Sequence, residues 1–261
     1  MKTIHLCVRM LGLAALCAGL QSCGDPKSSS TSGPEGGAVP TGRMTINLTV
    51  ESGDPQTAVV RANLNDGKSL PTSYRLDGGD YLRACINGLC RTMADNDSIY
   101  TPDYIARFDY QPHVDFIVSF NRVEAEDAPD SRVALPPPFT IVTPANHQQV
   151  TDGETVVVSW APTGAPAGVA VSYQGECSFL GGTTSYSSGT LGEDSDADGS
   201  HAVSIDPIVT FAKSSTTATM TRCSIDVIVR HELQGRIDPA FDHGTAVGIV
   251  SRKVTLDYVP R

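Results

Sequence analysis

Short runs of alternating apolar and polar residues recur along this chain of 261 residues and constrain its folding more than any other feature. Clear examples lie at residues 46–50, 58–62, 104–108 and 116–120. Successive side chains of a β-strand point to opposite faces, so a period of two is typical of strands with one buried face. No window of about twelve or more residues carries the apolar spacing of an amphipathic helix. The sequence therefore predicts an all-β fold with helical turns only.

Three consecutive prolines at positions 136–138 interrupt the strand pattern. Proline fixes φ and lacks a backbone N–H, so such a run is typical of a short, stiff connector. Runs with strand character, separated by turn residues, occur in similar number on both sides of the prolines. We therefore predict two β-sandwich domains in tandem, the first at residues 44–134 and the second at residues 135–261.

The second predicted domain opens with a distinctive spacing. Pro144 precedes a turn, and residues 153–160 run Gly-Glu-Thr-Val-Val-Val-Ser-Trp. This opening resembles the first two strands of a fibronectin type III or related immunoglobulin-like sandwich, with the resemblance extending over roughly residues 137–260. It implies that Trp160 belongs to the core of the sandwich. It also implies later strands at 169–173, 202–205, 223–229 and 247–258.

The amino terminus has the features of an export signal. Two basic residues precede an apolar stretch at 10–20, which is too short to cross a hydrocarbon core of about 30 Å as a helix. The stretch ends in Leu-Gln-Ser-Cys at 20–23, which resembles the lipobox of bacterial lipoproteins. The resemblance implies that residues 1–22 are a signal peptide and that Cys23 is lipidated. An ordinary secretory signal cleaved nearby is the alternative.

Residues 23–43 are rich in serine, glycine and proline and contain almost nothing apolar to bury. Such a composition cannot offset the entropy of ordering, so we predict a flexible linker between the lipid and the folded part. Gly24, and not an aspartate, follows the lipidated cysteine. By resemblance to enteric lipoproteins this favours the outer membrane over the inner one. We expect a lipid-anchored protein of the bacterial cell envelope.

Four cysteines remain after the signal region, and an even number in an exported protein indicates disulfides. Cys85 and Cys90 flank Asn87-Gly88, the preferred pair for a two-residue type I′ hairpin turn. That turn places the two cysteines directly opposite each other, where a bridge can form. By elimination, Cys177 would pair with Cys223. Free buried thiols are the alternative for this second pair.

The charge balance argues against nucleic-acid binding. Nineteen basic residues stand against twenty-nine acidic ones, a formal net charge of −10, and binding to phosphate backbones needs concentrated lysine and arginine. Motifs for catalysis are also incomplete. His231-Glu232 begins like a zinc-protease helix, but Gly235 occupies the position of the second histidine. Two histidines and two carboxylates do fall close together in sequence and could bind a transition metal: His231, Asp238, Asp242 and His243.

No catalytic residue is assigned, and the leading hypothesis is a non-enzymatic binding or scaffolding module. Loops at the ends of β-sandwiches carry recognition in many proteins, and a linker would let them search the envelope. The expected partners are the membrane, through the lipid, and an envelope protein or polysaccharide. Two alternatives stay open. One is a hydrolase of envelope polymers or a metal-dependent enzyme, and the other is an assembly subunit that pairs through sheet edges.

An acidic run in the second half predicts calcium as a candidate cofactor. Asp194, Asp196 and Asp198 precede Gly199 in the Asp-x-Asp-x-Asp-Gly order of a calcium loop. Carboxylates two residues apart can converge on one hard cation, and glycine permits the sharp turn. The twelfth position of the loop is Ile205, where calcium loops of the EF-hand type have a glutamate. Fewer charged ligands imply weak binding, with a Kd of roughly 0.1–1 mM.

We predict that Cys23→Ala releases the protein from membranes and abolishes its labelling with fatty acid. Burial of acyl chains contributes about 0.8 kcal/mol per methylene group, so their loss removes the anchor. Membrane fractionation and acyl labelling of the full chain measure both effects. Unchanged membrane association of the variant would show that the lipidation hypothesis is wrong.

We also predict that millimolar calcium raises the melting temperature of the protein and that Asp196→Asn removes this rise. A cation that binds only the folded state stabilises it by mass action. Calorimetry with calcium, and with magnesium as the control cation, measures the effect. Absence of both binding heat and a shift in melting temperature would mean that the run is a solvated acidic loop.

Overall fold

Strands dominate the computed structural model, which describes residues 39–68, 71–96, 102–163, 168–182, 184–194, 199–214 and 218–260. Within these ranges a 3₁₀ turn at Thr41–Arg43 precedes the strands, and one helix, α1 (Ile205–Ser214), lies between β14 and β15. The strands are β1 (Thr45–Ser52), β2 (Thr57–Asn65), β3 (Tyr81–Ile86), β4 (Leu89–Thr92), β5 (Ala94–Asp95), β6 (Tyr104–Asp109), β7 (Asp115–Asn121), β8 (Ala128–Ala134), β9 (Thr140–Thr143), β10 (Gln148–Val150), β11 (Thr155–Ala161), β12 (Val169–Phe179), β13 (Thr184–Asp194), β14 (Ser200–Ser204), β15 (Met220–Gln234) and β16 (His243–Tyr258). The predicted all-β fold is confirmed.

The described strands form three sheets. The largest has nine strands in the order β13-β12-β15-β16-β1-β2-β6-β5, with β10 paired to β16 beside this path. A second sheet has the order β4-β3-β7-β8, and a third has the order β14-β11-β9. Most neighbours are antiparallel, whereas β1 and β10 each pair with β16 in parallel.

The two predicted domains share the largest sheet, so their separation at residue 134 is not confirmed. β1, the first of the described strands, pairs with β16, the last of them, from Thr45↔His243 to Ser52↔Val250. β16 is sixteen residues long, which lets it pair with β15 on one side and with both β1 and β10 on the other. Parallel strands need a long connection, and here that connection is almost the whole chain. No local sequence pattern indicates such a pairing.

Alternation along the strands builds the core as predicted. In β2, every second residue from Ala58 to Leu64 is fully buried, and β1 and β7 follow the same pattern. The rings of Phe108 in β6 and Phe116 in β7 meet edge to face with centroids 5.7 Å apart, so the four-stranded sheet packs on the large one. Burial of each such large side chain contributes roughly 1.5–3 kcal/mol.

Two glycines allow β8 to approach the large sheet closely. A Cβ atom on Gly248 would lie 1.9 Å from the carbonyl oxygen of Ala134, and one on Gly235 would lie 2.3 Å from that of Arg132. Any side chain at these positions would therefore push the sheets apart. The backbones of Arg132 and Arg236 exchange two hydrogen bonds of 2.8 Å at this contact. β8 thus connects the two sheets through its backbone.

Both predicted disulfides join directly opposed residues on neighbouring strands. Cys85 and Cys90 are partners in the β3–β4 hairpin with Cα atoms 4.1 Å apart, and Cys177 and Cys223 are partners between β12 and β15 at 4.0 Å. Asn87 has φ of 48° and Gly88 has φ of 80°, as a type I′ turn requires. The hairpin prediction is confirmed.

A buried ion pair holds Val39, the first residue that the structure describes. The Nε of Arg122 lies 2.8 Å from a carboxylate oxygen of Asp80, and the two side chains are 1% and 4% exposed. The guanidinium also donates to the carbonyl of Val39 at 2.7 Å and lies over the ring of Phe120. Loss of one member of such a pair typically costs 3–5 kcal/mol, since it leaves a buried charge. The end of the predicted linker is therefore held by Arg122.

The second half contains one helix that the strand pattern did not predict. α1 buries Ile205, Ile208, Val209 and Ala212, which is a helical spacing, against the inner side of β12 and β13. At ten residues α1 is shorter than the window of about twelve residues over which an amphipathic helical pattern is recognisable. It is not long enough to cross a bilayer, and no other helix among the described residues is.

An aromatic layer lies between the three-stranded sheet and the large one. The imidazole of His231 stacks on the ring of Phe139 with centroids 3.9 Å apart and meets Trp160 edge-on at 6.2 Å. Trp160 is buried, as the resemblance implied. His231 is only 2% exposed and its Nε2 has no hydrogen-bond partner among the described residues. Burial therefore lowers the pKa of His231 from 6.5 to about 4.

We predict that His231 makes the fold less stable in acid. The imidazole of His231 binds a proton below pH 6.5 in the unfolded chain, but only below about pH 4 in the folded one. Its contribution to the free energy of unfolding is therefore fully present above pH 6.5 and is lost as the pH drops toward 4. The loss amounts to about 3 kcal/mol in the free energy of unfolding. Urea unfolding at pH 7 and pH 4 measures it. His231→Phe, which keeps an aromatic ring, should lose less stability over the same interval, and an equal loss in both proteins would contradict the prediction.

Candidate functional site

The strands β13, β12, β15 and β16 present a polar surface to solvent, which we call the outer face. The opposite side of these strands is apolar, and residues such as Ile225 and Leu256 point from it into the core. Because side chains alternate along a strand, the residues next to these core positions point outward. The outer face is therefore a rigid surface whose side chains are positioned by the sheet.

Strand register places four outward residues in one row across the outer face. Tyr186 is opposite Glu176, Glu176 is opposite Ser224, and Ser224 is opposite Asp257. Adjacent strands lie about 4.8 Å apart, so the row extends over about 14 Å. Tyr186 is 72% exposed, the largest value among the described large hydrophobic residues. The row therefore combines one accessible aromatic ring with a hydroxyl and two carboxylates.

One end of the outer face forms a cleft of about 550 Å³, which we call the polar cleft. It lies over β12, β15 and the end of β16, beside the turn that precedes β10. Its polar side chains carry both signs of charge together with two hydroxyl groups: His147, Glu176, Ser178, Arg222, Ser224 and Asp257.

His147 stands at the rim of the polar cleft, paired with Asp257. The Nδ1 atom lies 3.3 Å from the carboxylate of Asp257, and the backbone N–H of His147 donates to the carbonyl of Thr255 at 2.6 Å. The side chain of Asn146 accepts from the N–H of Thr255 at 3.0 Å. Two backbone contacts thus fasten the turn to β16. A positive φ of 62° at His147 gives the turn its shape.

Asp226 supplies a further anion one row away on the outer face. Its carboxylate accepts from Lys253 at 2.7 Å and from Thr255 at 2.6 Å. Partial burial raises the pKa of Asp226, but these hydrogen bonds outweigh it and the pKa lies below its ordinary value. Asp226 is therefore ionised at neutral pH. Lys253 and Thr255, together with Asn146, also line a separate depression of about 360 Å³.

The buried residue beneath the polar cleft is Tyr258, which is 1% exposed. Its hydroxyl donates to Asp152 at 2.5 Å, and Lys213 of α1 lies within 3.6 Å of both groups. Burial and the bond to Asp152 raise the pKa of Tyr258, so its hydroxyl stays protonated. This network connects α1, the turn before β11 and β16, and supports the cleft from inside.

The other predicted site residues fall into three groups. Cys23 lies outside the described residues, as do Asp196 and Asp198, and only the backbone of Asp194 is described, at the end of β13. Lipidation and calcium binding therefore stay predictions. The four cysteines form the two expected pairs.

The proposed metal ligands near β15 do not converge. His231 lies in the aromatic layer, and Asp238 is buried and accepts backbone N–H groups of Asp130 and Ala240. Asp242 and His243 lie 3.8 Å apart at the surface. Across the part of the chain that the structure describes, no three His, Cys, Asp or Glu side chains are grouped so that they could hold a metal.

Sequence reasoning missed the polar cleft. Its residues come from four separate segments, and each looks like an ordinary solvent-facing strand or turn residue. Alternation in β12 and β15 does predict that Glu176, Arg222 and Ser224 share a face. The missing information is that β12, β15 and β16 are adjacent, which depends on pairing over long distances in the chain.

No protein-family model and no curated protein matches this sequence. Among solved structures, the fibronectin(III)-like modules of Clostridium thermocellum CbhA match with 12% sequence identity, over 82% of this chain and 94% of that chain. The TM-score of this match is 0.21. A TM-score this low carries no argument about the fold or the function of this chain.

Proposed function

We propose that this chain is a lipid-anchored binding or scaffolding module of the bacterial cell envelope and that the polar cleft holds its ligand. The observation that supports this most is the composition of the cleft. Two basic side chains and two carboxylates line a surface held by paired strands, namely Arg222, His147, Glu176 and Asp257. Rigid sheet positions keep these groups in place before a ligand arrives, which lowers the entropic cost of binding.

The mixed charges favour an extended polar ligand. Carboxylates and a guanidinium that are accessible to solvent form strong directional hydrogen bonds with hydroxyl and amide groups. Tyr186 lies in the same row and offers an aromatic face on which a ring can stack. An envelope polysaccharide supplies hydroxyl groups and rings along one chain. We therefore propose a polysaccharide as the ligand, with a protein segment as the alternative.

The amino-terminal part of the proposal is the lipid anchor at Cys23 and the linker at 23–43. Arg122 holds Val39, the first residue that the structure describes, and a flexible linker ahead of this residue would separate the cleft from the membrane. A tethered module samples ligands within the reach of its linker, which raises their effective concentration. Anchoring in the outer membrane is the proposed location.

A hydrolase of envelope polymers is the second candidate. The His147–Asp257 pair, with Glu176 and two serines in the same cleft, is the observation that favours it. A histidine oriented by a carboxylate can act as a general base. In this case the same cleft would cleave the polymer that it binds.

We predict that Arg222→Gln and Glu176→Gln each weaken polysaccharide binding by about tenfold or more, since each removes charged hydrogen bonds to the ligand. The full chain is extracted in mild detergent and titrated by calorimetry with purified polysaccharide from the envelope of the producing bacterium. Thr190→Ala, on the outer face but outside the cleft, is the matched control and should bind as the unchanged protein does.

Equal affinity of all these variants would contradict the cleft as the binding site. The polymer is also sized after incubation. Shortening that disappears in His147→Ala would establish the hydrolase in place of the binding module, whereas unchanged length with tight binding supports the module.

A further inference from the structure

β13 forms a long edge of the nine-stranded sheet. It has eleven residues, whereas the strand at the opposite edge, β5, has two. Within the described ranges, β12 is the only strand that pairs with β13. An edge strand of this length carries a row of backbone donors and acceptors that point away from the sheet, and such a row can pair with another strand.

The Cys177–Cys223 pair shows which backbone groups of β13 point outward. Directly opposed residues in an antiparallel pair have Cα atoms about 5.5 Å apart when they exchange hydrogen bonds and about 4.5 Å apart when they do not. The observed 4.0 Å therefore marks a pair without hydrogen bonds. The backbone groups of Cys177 consequently point the other way, toward Ser185, its partner in β13.

The direction of the backbone N–H and C=O groups alternates from residue to residue along β13. Ser185, Ser187 and Gly189 direct their backbone groups to β12, so the groups of the residues between them point away from the sheet. The outward set is Thr184, Tyr186, Ser188 and Thr190. Their side chains are exposed on the outer face.

The edge lacks the features that usually prevent pairing. Residues 184–190 contain no charged residue and no proline, and the bulge in the β12–β13 pairing comes only after Thr190. Natural edges are commonly protected by lysine, proline or a bulge within the strand. Tyr186, the most exposed of the described large hydrophobic residues, stands in the middle of this segment.

We propose that β13 pairs with β13 of a second copy of this chain, antiparallel and about a two-fold axis at Ser187. In this register Thr184 is opposite Thr190 of the second copy, and Tyr186 is opposite Ser188. Each of these pairs joins outward-pointing residues, which can exchange two backbone hydrogen bonds. The whole uncharged segment is then paired with itself, as an isologous interface requires.

Side chains in this register are compatible. The two Tyr186 rings are diagonal neighbours on the outer face, within reach of each other and of Thr190, and aromatic and β-branched partners stabilise neighbouring strands. The acidic residues Glu193 and Asp194 lie beyond the paired segment, so no like charges face each other. The partner is a second copy because the segment is complementary to itself in length, charge and side-chain size.

The polar cleft stays open in this arrangement because it lies over β12, β15 and β16, away from the edge. Self-pairing would join two outer faces into one continuous surface with two clefts. The proposal does not depend on the proposed ligand, since dimerisation is measured without it.

Sedimentation equilibrium of the full chain, extracted in mild detergent, tests the proposal. The unchanged protein should be in reversible monomer–dimer equilibrium. Ser188→Pro, which removes an outward N–H, and Ser188→Lys, which places two like charges near each other, should each raise the dimer dissociation constant by at least about tenfold.

Gln174→Lys is the matched control because Gln174 is the exposed partner of Ser188 on β12. It adds the same charge to the same face one strand inward, and its dimerisation should match that of the unchanged protein. Melting curves confirm that each variant is folded. If Ser188→Pro does not fold, Ser188→Lys decides the test.

Three results would overturn the proposal. They are a monomer at the highest soluble concentration, a folded Ser188→Lys protein that dimerises as tightly as the unchanged chain, and a Gln174→Lys protein that loses the dimer to the same extent.

Discussion

The parallel pairing of β1 with β16 is the constraint on which the rest of the fold depends. It brings the first and last of the described strands together and makes one sheet of strands from both halves of the sequence. β8 then reaches the same sheet through Gly235 and Gly248, where only a glycine leaves room for its carbonyl groups. Since the first strand pairs with the last, native contacts in this sheet need almost the complete chain.

Local chemistry in the sequence predicted the elements that short segments control. Alternation predicted the strands, and Asn87-Gly88 predicted the hairpin that opposes Cys85 and Cys90. The structure differs from the sequence-based prediction where strands pair over long distances in the chain or where an element is too short to show a clear pattern. The β1–β16 pair has no local signal, α1 has only ten residues, and β13 contains Gly189 and Gly192, which strand propensity does not favour. The polar cleft was not predicted because it depends on the long-range pairing of β12, β15 and β16.

Burial of polar and ionisable side chains costs desolvation free energy, and the structure shows two ways in which this cost is reduced. Arg122 and Asp80 form a buried ion pair in which each side chain is hydrogen-bonded, and Arg122 also holds the carbonyl of Val39. His231 instead stays neutral between Phe139 and Trp160, since burial holds the pKa of its imidazole at about 4. The arrangement at His231 ties the packing of the small sheet to pH.

The Cys177–Cys223 bridge connects the two proposed interaction surfaces. It fixes the register of β12 against β15, and a slip of β12 by one residue would turn Glu176 from the outer face toward the core. The same bond sets the direction of the backbone groups of β12, and through them those of β13. The alternation along β12 therefore determines both which side chains reach the polar cleft and which backbone groups point outward at the sheet edge. A change in the register of β12 against β15 would alter both surfaces together.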